Sequence, residues 1–336
     1  MAVVGGGPGG AAAAICCARA GLRVALLEGT NFPRARPGET LHPGVEPLLE
    51  RLGVLTEVEA AGFLRHEGSW VSWGGPARFD AFGADGRGRW LGFQAGRADF
   101  DTILLDHARG LGVRVVQPCR AVQPLLDGAR VRGVRTNRGD VTSAFVVDAG
   151  GGRHWLARRL GLLVEARSPR LVARYGYVTG ECAARDAAPA IVADADGWTW
   201  TARVKPGLYQ WTRLTLSGGD GGRRAESPPA ELEHLAPCGR ARGADVTWRS
   251  VTRPAGSGYF LVGDAAAVLD PASSHGVLKA LMSGMMAAHS IDLIINRQDE
   301  RLVTDSYQRW VHAWFDHDVS ELEKLYAIFR RQPSGA

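Results

Sequence analysis

The N-terminal stretch Val3-Val4-Gly5-Gly6-Gly7-Pro8-Gly9-Gly10 joins a short apolar strand to a glycine-rich turn. Its glycines match a G-x-G-x-x-G pattern, which permits a tight turn, a close approach to a pyrophosphate and close helix packing. An alanine-rich run over 8–20 predicts the next helix. Glu28 ends the following apolar run, where a carboxylate accepts hydrogen bonds from ribose hydroxyls. The stretch therefore predicts a dinucleotide-binding unit with cofactor contacts from Gly5, Gly7, Pro8, Gly9, Gly10 and Glu28.

The composition limits the class of protein. With 336 residues, 45% of them hydrophobic and 22% charged, the chain has room for two globular domains. No apolar run reaches the ~20 residues of a membrane span, and no signal peptide precedes the glycine-rich turn, so we expect a cytoplasmic protein without a membrane span. Five cysteines, an odd number without a C-x-x-C pair, predict neither a disulfide framework nor a metal site. The net charge is +5, and the arginines are scattered among acids, which argues against a nucleic-acid partner.

A second motif lies more than 230 residues after Glu28. An apolar run over 259–262 ends in Gly263-Asp264, Pro271 follows seven residues after Asp264, and His275-Gly276 opens a predicted helix over 277–295. A Gly-Asp pair alone is common. At a strand end, at this distance before a proline turn and in a chain with the N-terminal motif, it indicates a second cofactor contact.

The chain resembles the FAD-dependent monooxygenases of the p-hydroxybenzoate hydroxylase type and the related flavin-dependent halogenases. The resemblance rests on Phe32-Pro33-Arg34 and Gly38-Glu39-Thr40-Leu41 after Glu28, on Arg97 before Phe100-Asp101, and on Gly263-Asp264. It implies that FAD is the cofactor and that the loop with Arg34, Arg36 and Glu39 runs beside the flavin. It also implies that Arg97 and Asp264 contact the phosphate–ribitol chain and that the turn from Pro271 to Gly276 lays a helix N-terminus at the pyrimidine edge.

The residue types alone leave alternatives open for several of these positions. Arg34 and Arg36 equally fit solvated loop charges, and Arg97 equally fits a surface arginine at the start of a helix. Glu39 contacts flavin or substrate, or only caps a helix. Local patterns also predict that Thr40 caps a helix from Pro43, that Asp99 caps a helix over 100–111, and that Thr304 or Asp305 caps the last helix.

Alternating aromatic and polar residues over 69–94, and again over 171–180 and 197–216, predict antiparallel strands. A strand is also predicted over 141–147 and a loop over 218–229. The predicted fold class is α/β: a Rossmann-like FAD-binding domain interleaved with an α+β substrate domain built on an antiparallel sheet, followed by a C-terminal helical segment. We assign 1–62, 95–165 and 253–297 to the FAD-binding domain, 63–94 and 166–252 to the substrate domain, and 298–336 to the C-terminal helix.

His66 and His275 are the candidate catalytic residues. In halogenases, as the resemblance implies, a lysine that intercepts hypohalous acid lies in a G-F-x-x-K-x-G context. This chain has His66 at that place in Gly62-Phe63-Leu64-Arg65-His66-Glu67-Gly68, and none of its three lysines is near in sequence. His66 is interpreted as a general base or substrate partner, or alternatively as a surface histidine. His275 lies beside the flavin-facing turn, or alternatively only caps its helix.

The sequence therefore predicts an FAD-dependent oxidoreductase, with a monooxygenase favoured over a halogenase. The resemblance implies hydroxylation of an aromatic substrate through a flavin C4a-hydroperoxide, with reducing equivalents from NAD(P)H or from a separate flavin reductase. The substrate is an aromatic small molecule or, as in bacterial flavoproteins of this fold, a tryptophan of a partner protein during tryptophylquinone maturation. The alternatives are a geranylgeranyl-reductase-like saturase of a small apolar metabolite and a non-catalytic flavin-bearing accessory protein.

Overall fold

The computed structural model describes residues 1–216 and 227–330, where the chain alternates short strands with helices. The helices are α1 (Pro8–Arg19), α2 (Glu46–Leu52), α3 (Leu55–Ala60), α4 (Arg97–Gly110), α5 (Trp155–Arg159), α6 (Ala183–Asp186), α7 (Gly276–Ile295) and α8 (Glu300–Arg330). The strands are β1 (Ala2–Val4), β2 (Ala25–Leu27), β3 (Glu39–Leu41), β4 (Leu64–His66), β5 (Gly68–Ser72), β6 (Arg78–Ala81), β7 (Ala84–Asp85), β8 (Gly88–Arg89), β9 (Gly92–Ala95), β10 (Arg114–Val116), β11 (Ala121–Asp127), β12 (Arg130–Thr136), β13 (Gly139–Thr142), β14 (Val146–Asp148), β15 (Val164–Ala166), β16 (Val172–Thr179), β17 (Ala190–Asp194), β18 (Gly197–Lys205), β19 (Leu208–Thr215), β20 (Ala236–Asp245), β21 (Arg249–Val251), β22 (Ala255–Gly256), β23 (Tyr259–Leu261) and β24 (Ala267–Val268).

A mainly parallel sheet of order β10-β2-β1-β14-β23-β22 contains the N-terminal motif. Every neighbouring pair is parallel except β22 with β23. Its central strands are short apolar runs, because a sheet with helices on both faces exposes neither side to water. Val3, at the middle of β1, pairs with Leu26 on one side and Val147 on the other. Helix α1 connects β1 to β2, which is the Rossmann-like arrangement that the sequence predicts.

A seven-stranded sheet of order β20-β16-β19-β18-β17-β5-β6 forms the second layer. All its pairs are antiparallel except β5 with β17. Two of its strands come from residues before α4 and the other five from residues after β15, so the chain enters this sheet twice. The two interleaved units and the C-terminal helix confirm the predicted fold class.

Helix α8 joins the two layers. Tyr307 and Val311 lie in the core of the parallel sheet, and the Tyr307 hydroxyl donates to the Leu261 carbonyl (2.7 Å). Further along, Phe315 and Tyr326 pack with Trp198 of β18 in a second core. Because apolar residues recur at helical spacing over its whole length, one helix stabilises both units.

Helix α7 packs along α1 in the core of the cofactor-binding unit. A Cβ atom on Gly284 would overlap the Gly9 carbonyl, and a Cβ atom on Gly9 would come within 3.0 Å of the Ala280 carbonyl oxygen. Small residues therefore let the two backbones touch. By length and composition alone, α7 is the one helix in the described ranges that is apolar enough to cross a membrane, and the fold uses its apolar face for this contact.

Two predicted helix caps are wrong, one because the residue pairs with a neighbouring strand and the other because its helix begins earlier. Thr40 lies in β3, where its hydroxyl donates to Gln94 of the neighbouring strand (3.1 Å), and the turn at Pro43 is instead capped by His42. Helix α4 begins earlier than predicted, at Arg97, with Gly96 before it. Asp99 consequently lies inside the first turn.

The start of α8 and one predicted strand also differ from expectation. Asp299 caps α8 through a hydrogen bond from the Leu302 N–H (3.0 Å), while the Thr304 hydroxyl donates back to the Glu300 carbonyl inside the helix. The predicted strand over 141–147 divides into β13, which joins β11 and β12, and β14, which joins the parallel sheet. Most of the loop predicted over 218–229 lies outside the described residues.

We expect G284A to destabilise the protein by about 1–3 kcal/mol, because a methyl group would force α7 away from the Gly9 carbonyl. Urea unfolding measures the loss. The control is G110A, at the last residue of α4, where a Cβ atom meets nothing within 4 Å; it should match or slightly exceed wild-type stability. Equal stability of the two variants would contradict the close helix contact.

The Asp148 carboxylate, at the end of β14, makes stability depend on pH. Burial raises its pKa from 3.8 to about 6, against hydrogen bonds from the Leu156 and Gly150 N–H groups, which lower it. A carboxyl with a raised folded-state pKa stabilises the fold below that pKa, so wild type should lose stability relative to D148N as the pH rises from about 4 to about 6. The change is at most about 3 kcal/mol. Thermal melts across this range test it.

The control for this pH dependence is D140N. Asp140 is exposed, and its hydrogen bond with Arg135 lowers its pKa, so the stability that it contributes is lost as the pH falls. The two variants should therefore diverge from wild type with opposite slopes. Parallel slopes would contradict the buried, protonated state of Asp148.

Candidate cofactor cleft and active site

The glycine-rich turn between β1 and α1 forms where backbone segments meet too closely for side chains. Gly5 has a positive φ of 100°, and a Cβ atom there would overlap the Ala149 carbonyl. A Cβ atom on Gly10 would overlap the Gly5 carbonyl. Gly7 precedes the first turn of α1, whose N–H groups therefore face outward without helical acceptors. This turn presents N–H groups and a positive helix dipole, as an anion site requires.

Glu28 lies directly after β2 and holds the turn in place. One carboxylate oxygen accepts from the Gly6 N–H (2.8 Å), and the other accepts from the N–H and hydroxyl of Thr30 (both 3.0 Å). Arg34 lies 3.4 Å from the first oxygen. The predicted ribose-binding acid is thus buried beside the glycine-rich turn.

Alternating arginines and carboxylates continue the line from Glu28. Arg34 contacts Glu28 and, through its other terminal nitrogen, Asp101 (3.5 Å). Asp101 is fully buried and accepts two hydrogen bonds from Arg97 (2.7 and 3.1 Å), and Arg97 also donates to Glu39 (3.1 Å). Arg34 and Arg97 are therefore not free surface charges, and Glu39, in β3, does not cap a helix. The sequence analysis missed the role of Asp101, although its spacing of four from Arg97 is a helical ion-pair signal.

The electrostatics place Asp264 beside this line. Burial raises the pKa of Glu39, and Asp264 and Asp101 raise it further while Arg97 lowers it. Burial lowers the pKa of Arg97, but the negative charges of Asp101, Glu39 and Asp264 outweigh this effect and raise it above its usual value. Asp264 therefore lies within electrostatic reach of both Arg97 and Glu39.

Asp264 differs from the other acids of the line because no described residue donates a hydrogen bond to it or pairs with it. It follows β23 in a short turn whose Gly263 N–H is bound by the Ser283 hydroxyl of α7 (2.8 Å). Solvent reaches its side chain, yet surrounding protein atoms raise its pKa, while Arg97, Arg249 and Arg36 lower it. A carboxylate held in such a place fits a hydroxyl-rich ligand such as the ribitol chain.

The Asp270 carboxylate stabilises the turn before α7 through two hydrogen bonds. One oxygen of the buried Asp270 carboxylate accepts from the Ala272 N–H (2.8 Å) and the other accepts from the Tyr326 hydroxyl (2.6 Å). Pro271 begins the turn, and His275 directly precedes Gly276, the first residue of α7. The Lys279 N–H closes the first bond of the helix on the His275 carbonyl (2.9 Å), so the N–H groups before it face outward. This is the helix terminus that the sequence predicts at the flavin.

The structure places His66 inside the protein and so excludes its interpretation as a surface histidine. The ring is 2% exposed, its Nδ1 lies 2.8 Å from the Gly68 carbonyl, and its Nε2 has no partner within the described ranges. Burial lowers its pKa, so the ring is neutral at pH 7, with an N–H at Nδ1 and a lone pair at Nε2. Phe82 lies between His66 and His42 (5.3 and 5.2 Å between centroids), and His42 contacts His275 (6.1 Å).

A second buried polar group shares the face of His66. In the sheet of order β3-β9-β4, His66 pairs with Gly92, and Gln94 points to the same face two residues later. The Gln94 carbonyl oxygen accepts from Thr40, which in turn accepts from the Trp200 indole (3.1 Å each), while Nε2 of Gln94 has no partner among the described residues. The sequence analysis missed Gln94, for which the one available signal was an amide inside an apolar strand.

A lysine also lies closer to the site than its place in the sequence indicated. Lys279 is one helical turn after His275, forms an ion pair with Asp318 of α8 and stacks 4.2 Å from the Trp314 ring. The same Asp318 oxygen lies 3.9 Å from His275. Only the packing of α8 on α7 brings these groups together.

Arg36 stands apart from the other predicted residues. Its side chain is exposed and reaches the site only through its charge, which helps to lower the pKa of Asp264, while its backbone carbonyl accepts from the Tyr177 hydroxyl (3.4 Å). Within residues 1–216 and 227–330, no group of three or more His, Cys, Asp or Glu side chains is arranged to hold a metal ion.

Comparison with known proteins matches residues 1–196 to the FAD binding domain family. A tryptophan 2-halogenase of Chondromyces crocatus is 29% identical over 374 aligned residues, which cover 99% of this chain and 68% of that protein. The first curated relatives are covered over 64–68% of their own length, so this chain spans about two thirds of them.

Two solved structures show the same fold. The myxobacterial chondrochloren halogenase superposes with a TM-score of 0.87 and 26% identity, covering 97% of this chain and 82% of that one. A peptidyl tryptophan dihydroxylase, essential for tryptophylquinone cofactor biogenesis, superposes with a TM-score of 0.73 and 24% identity, covering 98% of this chain and 75% of that one.

We expect D264N to weaken FAD binding by about tenfold or more while leaving the apoprotein as stable as wild type or more stable. A hydrogen bond to a charged acceptor is worth about 1.5–3 kcal/mol, and the apoprotein no longer carries an unpartnered, partly desolvated charge. Titration with FAD and thermal melts of the apoprotein measure the two effects. Loss of stability with unchanged affinity would show that Asp264 serves the fold and not the ligand.

Proposed function

The chain belongs to the FAD-binding-domain family of flavin-dependent enzymes, and from that premise we propose that it is a monooxygenase that hydroxylates an electron-rich aromatic substrate. One observation carries the proposal. The outward N–H groups of α1, the line of charges from Glu28 to Glu39 and the unpartnered Asp264 form one series of contacts or electrostatic couplings, and Gly263 beside Asp264 is hydrogen-bonded to Ser283 of α7. Each suits a different part of FAD.

The residues fit FAD as follows. The turn over residues 5–10 suits the pyrophosphate, and Glu28 suits the adenosine ribose. Arg97 and Asp264 suit the phosphate–ribitol chain, and the N-terminus of α7 suits the pyrimidine edge. When bound and reduced, FAD supplies the electrons that activate O2. The protein's part is to hold the ring, shield it from water and orient the substrate.

The substrate site that fits this arrangement is the polar face of β4 and β9. Two atoms on this face have no partner among the described residues, and their hydrogen-bonding capacities are complementary. Nε2 of His66 is a free acceptor, and Nε2 of Gln94 is a free donor. Because a buried polar atom without a partner costs about 1–3 kcal/mol, a ligand that pairs with both gains affinity. Phe82 and Trp200 supply aromatic surface beside them. An indole, with one N–H donor and a flat ring, matches the His66 acceptor.

The names of two similar proteins support an indole-bearing substrate, since one halogenates tryptophan and the other hydroxylates peptidyl tryptophan. For this chain we favour a tryptophan side chain in a partner peptide as the substrate. A free aromatic metabolite is the alternative substrate. The electrons come either directly from NAD(P)H or through a separate flavin reductase. Activity with and without an added reductase distinguishes the two routes.

Two features favour hydroxylation. His66 occupies the position in the 62–68 segment where the resemblance implies a lysine. Each of the three lysines also pairs with a carboxylate: Lys205 with Asp99, Lys279 with Asp318 and Lys324 with Glu321. An ion pair occupies each amine in the free protein, although burial lowers the pKa of Lys279 to about 7 and so favours its neutral, nucleophilic form.

Halogenation is the second candidate, and a specific observation favours it. The curated relatives that match most of the chain are named as halogenases, and Lys279 lies one helical turn from His275. If Lys279 separates from Asp318 when cofactor and substrate bind, its amine faces the same end of α7 that receives the ring.

The test incubates purified protein with FAD, NAD(P)H with and without a flavin reductase, chloride or bromide, and a tryptophan-containing peptide or free tryptophan. We expect substrate-dependent O2 consumption and a product heavier by one oxygen, detected by mass spectrometry. A halogenated product would establish the second candidate. Anaerobic reduction of a double bond would indicate the saturase, and bound FAD that never turns over would indicate an accessory protein.

Two His66 variants test the substrate site. H66N keeps a donor for the Gly68 carbonyl but removes the Nε2 acceptor, whereas H66Q keeps an acceptor near Nε2. We expect H66N to bind FAD like wild type and to form product at least about 100-fold more slowly, with H66Q intermediate, since a positioned proton acceptor contributes about 10²–10⁴-fold. Equal turnover of H66N and wild type would show that His66 has no catalytic role.

A further inference from the structure

Three buried side chains from three parts of the fold form one hydrogen-bond chain behind the turn before α7. The Trp198 indole of β18 donates to the Tyr326 hydroxyl of α8 (2.8 Å), and that hydroxyl donates to the Asp270 carboxylate (2.6 Å). Asp270 accepts from the Ala272 N–H with its other oxygen. The chain therefore runs from the seven-stranded sheet, through the C-terminal helix, to the turn that delivers the N-terminus of α7.

The hydroxyl of Tyr326 is the central group of this chain because it is donor and acceptor at once. Asp270 is fully buried and Tyr326 is 5% exposed, so water does not replace either bond. Removing the hydroxyl takes one of several donors from the Asp270 carboxylate and takes the acceptor from the Trp198 indole, and burial makes each loss costly. The turn at Pro271 then loses its support on one side.

An ion pair also connects α8 to α7. Asp318, two helical turns before Tyr326, forms an ion pair with Lys279 and lies near His275. Beside Tyr326, the Trp73 indole from the segment after β5 donates to the Leu325 carbonyl (3.0 Å). Helix α8 is thus bound to α7 at Asp318 and to the segment after β5 at Leu325, the residue next to Tyr326.

We propose that Tyr326 is a positioning residue that fixes the turn from Asp270 to His275 against the cofactor and links its position to the substrate sheet through Trp198. The proposal rests on the proposed function, in which the N-terminus of α7 faces the flavin. Reduced flavin carries negative charge at that edge, so N–H groups held in place bind the reduced form more tightly than the oxidised form. Loosening the turn weakens this preference more than it weakens binding as a whole.

The test compares Y326F with wild type in the affinity for oxidised FAD and, without oxygen, for dithionite-reduced FAD. We expect the ratio of the two affinities to fall about tenfold, which corresponds to a midpoint potential lower by about 30 mV for a two-electron couple. Flavin fluorescence and potentiometry measure the two quantities without relying on turnover.

The matched control is Y209F. The Tyr209 hydroxyl also donates to a carboxylate at 2.6 Å, that of Asp186, and its side chain is 1% exposed, but it lies in a separate core with Cys182 and Leu232. Y209F should lose less stability in thermal melts, because the Asp186 side chain is 41% exposed, and should leave the affinity ratio unchanged. If both variants shift the ratio equally, or neither does, Tyr326 has only a structural role and the proposal is wrong.

W198F provides a second route if Y326F does not fold. It removes the donor to the Tyr326 hydroxyl and keeps an aromatic ring in the core, so the ratio should shift in the same direction by a smaller factor. An unchanged ratio in W198F, with Y326F unfolded, overturns the link to the substrate sheet. Wild type that binds neither form of FAD would refute the proposed function instead, and wild type that binds both while Y326F matches it would refute only the role of Tyr326.

Discussion

The structure depends on the close approach of three backbone segments at one end of the parallel sheet. Gly5 and Gly10 touch each other and Ala149, and Gly9 touches Gly284 of α7. Because these contacts leave no room for a Cβ atom, β1, α1, β14 and α7 have one possible arrangement. The groups that face the cleft, from Glu28 to the start of α7, take their positions from it, so the cofactor site is a direct consequence of backbone packing.

The acids of the cleft divide according to whether the protein itself neutralises them. Asp101 is buried and bound by two arginines, so it belongs to the fold and positions Arg34 and Arg97. Asp264 is bound by no described residue, although nearby protein atoms raise its pKa. A protein that keeps such a charge gives up stability in the free state, which is characteristic of residues retained for a ligand. Within one row of charges, Asp101 therefore stabilises the fold, whereas Asp264 is available to a ligand.

Local sequence was sufficient where backbone geometry alone decides the structure. The glycine-rich turn, the helix after it, the Gly263-Asp264 strand end and the interleaved sheets were all predictable, because glycine spacing and hydrophobic periodicity act over a few residues. The cap assigned to Thr40 was wrong because its hydroxyl donates to Gln94 of a neighbouring strand, and the cap assigned to Asp99 was wrong because α4 already begins at Arg97. Gln94 and Asp101 were missed because their importance comes from burial, and burial depends on elements distant in the chain.

The sequence by itself determined that this chain builds a Rossmann-like dinucleotide site, since only glycine at positions 5, 9 and 10 allows the turn and the helix contacts that the site needs. It also marked Asp264 and the turn at Pro271 as the partner segment. Only the tertiary structure decided what surrounds the chemistry. It buried His66, set Lys279 against Asp318 and joined Trp198, Tyr326 and Asp270 into one chain, because hydrogen bonds and ion pairs between distant residues exist only once the helices and sheets have packed.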